Sequence, residues 1–227
     1  MLSRNTAERM MCPLTLSLSM CMGVNIPRNP YEIYSMSVKI RELLKSHGFE
    51  GVGSLLTEWN IWPNGVMDTQ TFRKVEAAAF DLSALIYLQD CPPDISTFYR
   101  GDTHAWGGLF DQKGIPYKAY YAFKAFRMLL DTPIRVFSDG SNNKGFAVIA
   151  GVSPDNQSTT ILISNYDCEF NSYDINLLNL PWKEDQVNCE VYILDSNHDL
   201  ELVRTIVKKL NHQVFQYSKA SRHPQSI

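Results

Sequence analysis

The sequence predicts an α/β region followed by a small antiparallel β-domain, and three observations support this division. Between residues 29 and 130, segments with helical periodicity alternate with short apolar segments typical of buried strands. Beyond Asp131-Thr132-Pro133, the apolar segments are short, β-rich and separated by Gly, Asn, Asp and Pro. With 227 residues, 44% of them hydrophobic and 20% charged, the chain is long enough to bury a substantial core.

The α/β region begins with a well-marked helix and strand. Asn29-Pro30 is a favourable helix start, because asparagine caps the first turn and proline lacks an N–H that this turn does not need. Gly48 is suited to end the helix in the left-handed conformation. Leu55-Leu56-Thr57 then predicts a short strand. The apolar residues at helical spacing before Gly48 are Ile33, Met36, Ile40, Leu43 and Leu44.

Two more helices and another strand follow. A second helix is predicted from Asp68 or Thr69 to a stop before Pro92-Pro93. Residues 95–99 predict a strand, residues 100–114 a glycine-rich loop, and residues 117–130 a third helix. This order is typical of right-handed β/α units with parallel strands. Two such units leave a strand edge and two helix faces exposed, so we expect this region to be part of a larger structure. The second helix's apolar stripe is Phe72, Val75, Ala79, Leu82 and Ile86.

The predicted domain organisation has four parts. Residues 1–28 form an atypical N-terminal segment, residues 29–132 the α/β region, residues 133–217 the β-domain and residues 218–227 a disordered tail. Strands of the β-domain are predicted around Val136 and over residues 146–152, 159–164, 173–178 and 187–194.

Composition argues against several classes of function. With 21 basic and 24 acidic residues, the formal charge of −3 gives no basic field for nucleic acid or anionic lipid. The five cysteines lack Cys-x-x-Cys spacing, so we predict free thiols, no metal site and no cofactor. No segment has the roughly 20 apolar residues of a membrane span. Arg4 and Arg9 precede an apolar stretch diluted by Pro13 and hydroxyl residues, a poor secretory signal that favours the cytoplasm.

Glu58 is the first functional candidate from the residues themselves. It follows the apolar strand directly and is flanked by Trp59 and Asn60. An ionised carboxylate at the end of a buried strand requires hydrogen-bond donors, a cationic partner or a reaction that uses its charge. The alternative is that Glu58 only caps the following turn or pairs with a basic residue.

Several motifs together resemble glycoside hydrolase family 39 (GH39) and its clan A relatives, with family 51 the nearest alternative. The match runs from about Asn29 to the end of the chain, and no single motif carries it. The segments are Leu56-Thr57-Glu58-Trp59-Asn60, Leu88-Gln89-Asp90, Phe98-Tyr99-Arg100-Gly101-Asp102, Trp106-Gly107-Gly108-Leu109-Phe110-Asp111 and Pro116-Tyr117-Lys118-Ala119-Tyr120-Tyr121-Ala122-Phe123.

The resemblance implies a (β/α)8 TIM barrel followed by a β-sandwich, and hydrolysis of O-glycosyl bonds with retention, xylosidase-like or on a related glycan. Glu58 occupies the position of the nucleophile at the end of strand seven. Trp106 is then a candidate platform for a sugar face, and Asp102, His104 and Asn60 are candidates for binding sugar hydroxyls. His104 as an ordinary loop residue remains open, as does packing as the role of Trp59, Trp62 and the aromatic stripe of the third helix.

The sequence also departs from the family. It contains no Asn-Glu-Pro, so the general acid/base is absent from this chain together with strands one to five. The family's Asp-Phe-Phe-Ser-Trp-His-x-Tyr strand is missing before Asn29. Our hypothesis is that Leu14 to Gly23 is this strand, the sixth, translated out of frame. Suitable codons in the neighbouring frame give Asp-Phe-Phe-Ser-Phe-His-Val-Tyr-Gly, which sequencing of the coding DNA tests.

We therefore expect a truncated glycosidase fragment with little activity alone, a carbohydrate substrate, and self-association through exposed barrel surfaces. The competing interpretations are a noncatalytic carbohydrate-binding or interaction module and a non-functional gene remnant.

Overall fold

The computed structural model describes residues 15–19, 29–61, 70–101, 107–170, 172–180, 182, 186–209 and 215–220. Its first part is a parallel sheet of three strands in the order β1-β2-β3, each followed by a helix. The elements are β1 (Thr15–Ser19), α1 (Pro30–Ser46), β2 (Gly53–Trp59), α2 (Val75–Leu88), β3 (Ile95–Phe98) and α3 (Lys118–Arg127).

The strand β1 lies within the segment that sequence analysis set apart as atypical. It pairs in parallel with β2, Leu16 opposite Ser54 and Leu18 opposite Leu56. In the sequence, Leu16 and Leu18 alternate with Ser17 and Ser19, a period-two pattern that indicates a strand. The described region thus contains three strand–helix units instead of the two that were predicted. Whether the coding frame is shifted here stays a hypothesis.

The helix α1 has the ends that its sequence predicts. Asn29 Oδ1 accepts a hydrogen bond from Tyr31 N at 3.0 Å, and Gly48 has a φ of +80° after the last turn. Ile33 is fully buried, but Leu43 on the same predicted apolar stripe is 59% exposed. The stripe of α1 is therefore covered by the described residues along only part of its length.

The helix α2 begins later than predicted. Thr71–Arg73 form a short 3-10 helix, Lys74 is extended, and α2 starts at Val75. Residues 62–69, where the start was predicted, lie outside the described residues. Instead of one apolar stripe, α2 has buried residues on nearly every side, because it packs between two layers. They are Ala77, Ala78, Phe80, Asp81, Leu82, Ser83, Ala84, Ile86 and Tyr87.

The second part of the chain consists of small antiparallel sheets. One has the order β4-β5-β6, and two further pairs are β7 with β10 and β8 with β9. The strands are β4 (Ile134–Val136), β5 (Phe146–Val152), β6 (Thr159–Asn165), β7 (Ser172–Leu177), β8 (Gln186–Leu194), β9 (Asp199–Lys209) and β10 (Phe215–Ala220).

Two of these strands extend the sequence prediction. Lys208 and Lys209, interpreted as a solvated strand face or turn, lie exposed at the end of β9. The predicted disordered tail from residue 218 is wrong for its first three residues, because Ser218, Lys219 and Ala220 pair with β7 as part of β10. Residues 221–227 of that tail lie outside the described part of the chain.

Two apolar clusters meet at α2. The first fills the space between the parallel sheet and the helices, and the second joins α2 and α3 to β5. The first contains Ile33, Leu56, Trp59, Ile61, Phe72, Ala77, Phe80 and Ala84, and the second Ala78, Leu82, Ile86, Tyr87, Ala122, Ala147 and Ile149. Among the described helices, none is long and apolar enough to cross a membrane.

Hydrogen bonds from side chains to backbone carbonyls fix α2 against the antiparallel sheet. Ser83 Oγ donates to Gly145 O at 2.7 Å, and Ser164 Oγ donates to Ala79 O at 2.8 Å. Tyr87 Oη lies 2.8 Å from Asn142 O and 3.0 Å from Phe146 O, and burial raises the pKa of this phenol. The packing of the two layers is therefore specified by polar contacts as well as by apolar area.

The Tyr87→Phe variant is expected to lower the free energy of unfolding by about 1–2 kcal/mol, since it removes a buried donor from two carbonyl oxygens. Urea denaturation measures this change. Tyr192→Phe is the control, because the exposed Tyr192 hydroxyl bonds only an exposed carboxylate, Glu190 Oε2, at 2.9 Å. Equal losses in both variants would contradict the assigned role of Tyr87.

Candidate active site

An irregularity in β2 determines where the Glu58 side chain points. Opposite β3, Leu56 aligns with Ser96 and Trp59 aligns with Phe98, so two residues of β2 face one residue of β3. Opposite β1, Leu56 aligns with Leu18 but Glu58 with Ser19, which places the extra residue at Thr57. Such a bulge redirects the side chains that follow it.

The direction of Glu58 follows from its neighbours. Leu56 and Trp59 are both buried in the cluster beneath the helices. Because successive side chains of a strand alternate, burial of Trp59 on the helix side directs Glu58 to the opposite face of the sheet. Without the bulge, Glu58 would share the helix side with Leu56. Glu58 is half-buried in this position, at the carboxyl end of the central strand.

The bulge is stabilised from the neighbouring strand. Thr97 Oγ1 donates to the carbonyl oxygen of Thr57 and lies 3.4 Å from that of Leu56. Beyond it the ladder resumes, with Tyr99 N donating to Trp59 O at 3.0 Å. A threonine hydroxyl thus compensates carbonyl groups at the point where the regular pairing is interrupted.

Asn60 links the ends of the two strands. Its Nδ2 donates to Tyr99 O and, at 3.1 Å, to Gly107 O, while its Oδ1 accepts from Ile61 N at 2.7 Å. Both amide hydrogens are therefore used within the protein, and the residue is 7% exposed. This geometry makes Asn60 a positioning residue for the loops around Glu58, and sugar binding by Asn60 stays a prediction.

Gly107 completes this connection and has no room for a side chain. Its φ is +67°, and a Cβ atom would lie 2.5 Å from Phe72 Cδ1 and 2.9 Å from Asn60 Nδ2. Phe72 is buried in the first apolar cluster. The tryptophan–glycine motif found in the sequence therefore includes a glycine that brings the loop after β3 into contact with the Asn60 amide.

Trp59 lies in the core. It is 1% exposed, with ring centroids 5.1 Å from Phe98 and 6.3 Å from Phe123. Phe123 in turn contacts Phe98 at 4.9 Å, which confirms the packing role of that residue on α3. The aromatic group supports the ends of β2 and β3 from below.

The other predicted ligands cannot be placed in this geometry. Asp102, His104, Trp106 and Trp62 lie outside the described residues. Within the described ranges, no three His, Cys, Asp or Glu side chains are grouped so that they could hold a metal ion. The structure therefore brings together Glu58 and Asn60 from the predicted set, at the end of one strand.

Sequence reasoning missed one unusual carboxyl group, Asp81 of α2. It is fully buried, and neither carboxylate oxygen has a hydrogen-bond partner in the described structure. Burial raises the pKa of Asp81 well above its ordinary value, with no contribution from a neighbouring charge. The signal in the sequence was an acidic residue inside the apolar segment from Ala77 to Tyr87.

Comparisons with known proteins identify the fold. No protein-family model and no curated protein matches the sequence. Among solved structures, a glucosidase from Croceicoccus marinus is similar with a TM-score of 0.74, 22% identity, and coverage of 91% of this chain and 50% of its own. The GH39 enzyme from Xanthomonas axonopodis pv. citri gives a TM-score of 0.59, 12% identity, and coverage of 91% and 52%.

A more distant similarity is to a xyloglucanase of glycoside hydrolase family 44 from Paenibacillus polymyxa, with a TM-score of 0.50, 11% identity, and coverage of 84% of this chain and 34% of that one. The chain spans about half the length of the first two structures. It therefore has a glycoside hydrolase-like fold that corresponds to part of such an enzyme.

Proposed function

We propose that this chain is part of a retaining glycoside hydrolase of the GH39 type, with Glu58 as its nucleophile. In this proposal, β1, β2 and β3 are the last strands of a (β/α)8 barrel and the antiparallel sheets form its β-sandwich. The observation that carries the proposal is the bulge at Thr57, which turns Glu58 away from the helices at the carboxyl end of a parallel strand. Catalytic groups of β/α barrels lie at that end.

The chemistry requires a second carboxyl group. Glu58 attacks the anomeric carbon and forms a glycosyl ester, while a carboxylic acid roughly 5–5.5 Å away gives its proton to the leaving oxygen. The same acid, now ionised, takes a proton from the water that cleaves the ester. This sequence has no Asn-Glu-Pro motif, so the acid must come from residues beyond this chain.

The substrate is proposed to be an O-glycoside of the xylosidase type or a related glycan. Trp106 would supply an apolar surface for a sugar face, and Asp102 and His104 would bind hydroxyl groups. All three follow β3 in the sequence, on the loop whose end Asn60 holds through the Gly107 carbonyl. That contact would orient the sugar-binding loop relative to the nucleophile.

The purified 227-residue chain is expected to hydrolyse aryl glycosides barely above the uncatalysed rate. A general acid contributes typically 10²–10⁴-fold, and the remaining sugar contacts are missing as well. Release of nitrophenol from a panel of aryl xylosides and glucosides measures the rate. Robust turnover by the isolated chain that Glu58→Gln abolishes would show that the acid is not missing.

The role of Glu58 is tested in a fusion of this chain to the half of the Croceicoccus marinus glucosidase that it does not match. Glu58→Ala is expected to lose at least 10³-fold in hydrolysis, and added azide is expected to restore turnover of activated aryl glycosides. The product would be a glycosyl azide of inverted anomeric configuration, since azide replaces the carboxylate.

Glu50→Ala is the matched control, because Glu50 is an exposed glutamate in the loop before β2. It should retain the activity of the unsubstituted fusion. Azide without effect on Glu58→Ala, or an azide product of retained configuration, would show that Glu58 is not the nucleophile.

A further inference from the structure

The parallel sheet is covered by helices on one side only. Its strands are adjacent in sequence order, and right-handed crossovers between adjacent parallel strands place all the helices on the same face. Leu56 and Trp59 point into that covered face. Parallel sheets are stable when both faces are buried, so the other face needs a cover that the described residues do not supply.

The uncovered face and its edge carry apolar groups. Ile95 aligns with Leu55, so both side chains point away from the helices, and Ile95 is 58% exposed. Ser96 and Thr97 are exposed as well. Within the described part of the chain, no strand pairs with the outer edge of β3 or of β1. Open edges and exposed apolar side chains of this kind mark an interface.

The helix layer is open at the same end of the sheet. Leu43 belongs to the apolar stripe of α1, which connects β1 to β2, and is 59% exposed. On its other side α1 packs against α2. The unit that begins with β1 thus lacks a neighbour in both layers, which is the pattern expected where one β/α unit normally packs against the preceding one.

We propose that this sheet is completed by a separate polypeptide carrying about five consecutive β/α units, so that eight parallel strands close into a barrel. Its first strand pairs with β3 and its last strand with β1. A second copy of this chain is not suitable, because two copies contribute only six strands. About half of the similar glucosidase has no counterpart in this chain, which is the share such a partner would provide.

This inference stands on the sheet, and Glu58 enters it only as the site that closure would complete. The test co-expresses the tagged full chain with the unmatched half of the Croceicoccus marinus glucosidase as an untagged protein. We expect both to co-purify and to give the mass of one copy of each by light scattering. Hydrogen exchange of the Ile95–Phe98 amides should slow at least 10-fold in the complex.

Two surface variants make the test specific. Ile95→Lys and Leu43→Lys are expected to weaken the complex at least 10-fold, because each places a charge in a seam. Val207→Lys is the matched control, since Val207 is 63% exposed on β9, in the antiparallel part of the chain. It should bind like the unsubstituted chain.

The outcomes separate this inference from the proposed function. Failure of the half to co-purify, a homodimer that Ile95→Lys dissociates, or binding insensitive to both lysine variants overturns the inference. Glu58→Gln should leave assembly unchanged. A complex that assembles as expected but has no glycosidase activity would refute the proposed function and leave the inference intact.

Discussion

Replacing Asp81 with asparagine is expected to raise the free energy of unfolding at neutral pH and to remove part of its dependence on pH. Asp81 is fully buried without a hydrogen-bond partner for either oxygen in the described structure, and desolvation raises its pKa. The folded state therefore favours the protonated carboxyl group, whereas the unfolded chain ionises it with a pKa near 3.9.

The sign of the pH dependence follows from this difference. Below pH about 3.9 the carboxyl group is protonated in both states, and its burial is not opposed by ionisation. As pH rises toward the elevated pKa of the folded state, the unfolded state releases the proton first, and stability falls. Each pKa unit of separation corresponds to about 1.4 kcal/mol. Asparagine has the same size and no charge, so the loss disappears.

Urea denaturation at intervals from pH 4 to pH 8 measures the difference between the wild-type chain and Asp81→Asn. The gap should widen as pH increases. Asp90→Asn is the control with the opposite sign, because the bidentate Arg135 contacts at 2.7 Å hold the pKa of Asp90 below its ordinary value. Its effect should be small, since both side chains are exposed. A constant gap between wild type and Asp81→Asn would refute the assignment.

Local sequence signals predicted the helices and strands near Glu58 because strong end signals mark them. Asn29-Pro30 and Gly48 define α1 in the structure as they do in the sequence. The burial of α2 on nearly all sides could not be predicted, because it depends on β5 and β6, which follow it by more than 50 residues and pack on its second face. A periodicity argument detects a buried face but not what covers the opposite one.

The candidate site was predictable in identity but not in geometry. The alternation of a regular strand would have placed Glu58 with Leu56 beneath the helices. The bulge at Thr57 reverses this direction, and it depends on pairing with β1 and β3 and on the Thr97 hydroxyl. Likewise, Asn60 was a candidate sugar ligand by position, while its amide contacts Tyr99 and Gly107 only in the folded chain.

Gly107→Ala is expected to cost about 2–5 kcal/mol of stability, which combines two terms. A positive φ of +67° is unfavourable for alanine by roughly 1–2 kcal/mol. The added Cβ would also lie 2.5 Å from the buried Phe72 ring and 2.9 Å from Asn60 Nδ2, and overpacking of this kind costs typically 1–3 kcal/mol.

Gly114→Ala separates the two terms. Gly114 has a φ of +79° but no atom within 4 Å of the added Cβ, so its substitution reports the conformational cost without the clash. The excess loss in Gly107→Ala, measured by urea denaturation, is then the steric contribution. Equal losses at the two glycines would show that the loop moves away from Phe72 and Asn60 without cost.

A double-mutant cycle identifies the atom that opposes the new methyl group. In a Phe72→Ala background the ring is gone, so Gly107→Ala should cost no more than Gly114→Ala does, and the coupling energy should equal the excess. If the excess persists without the ring, the opposing group is the Asn60 amide, and the loop is positioned by the hydrogen bond to Gly107 O rather than by packing. In the proposed enzyme, the latter result would predict that Asn60→Ala reproduces the effect of Gly107→Ala on the sugar-binding loop.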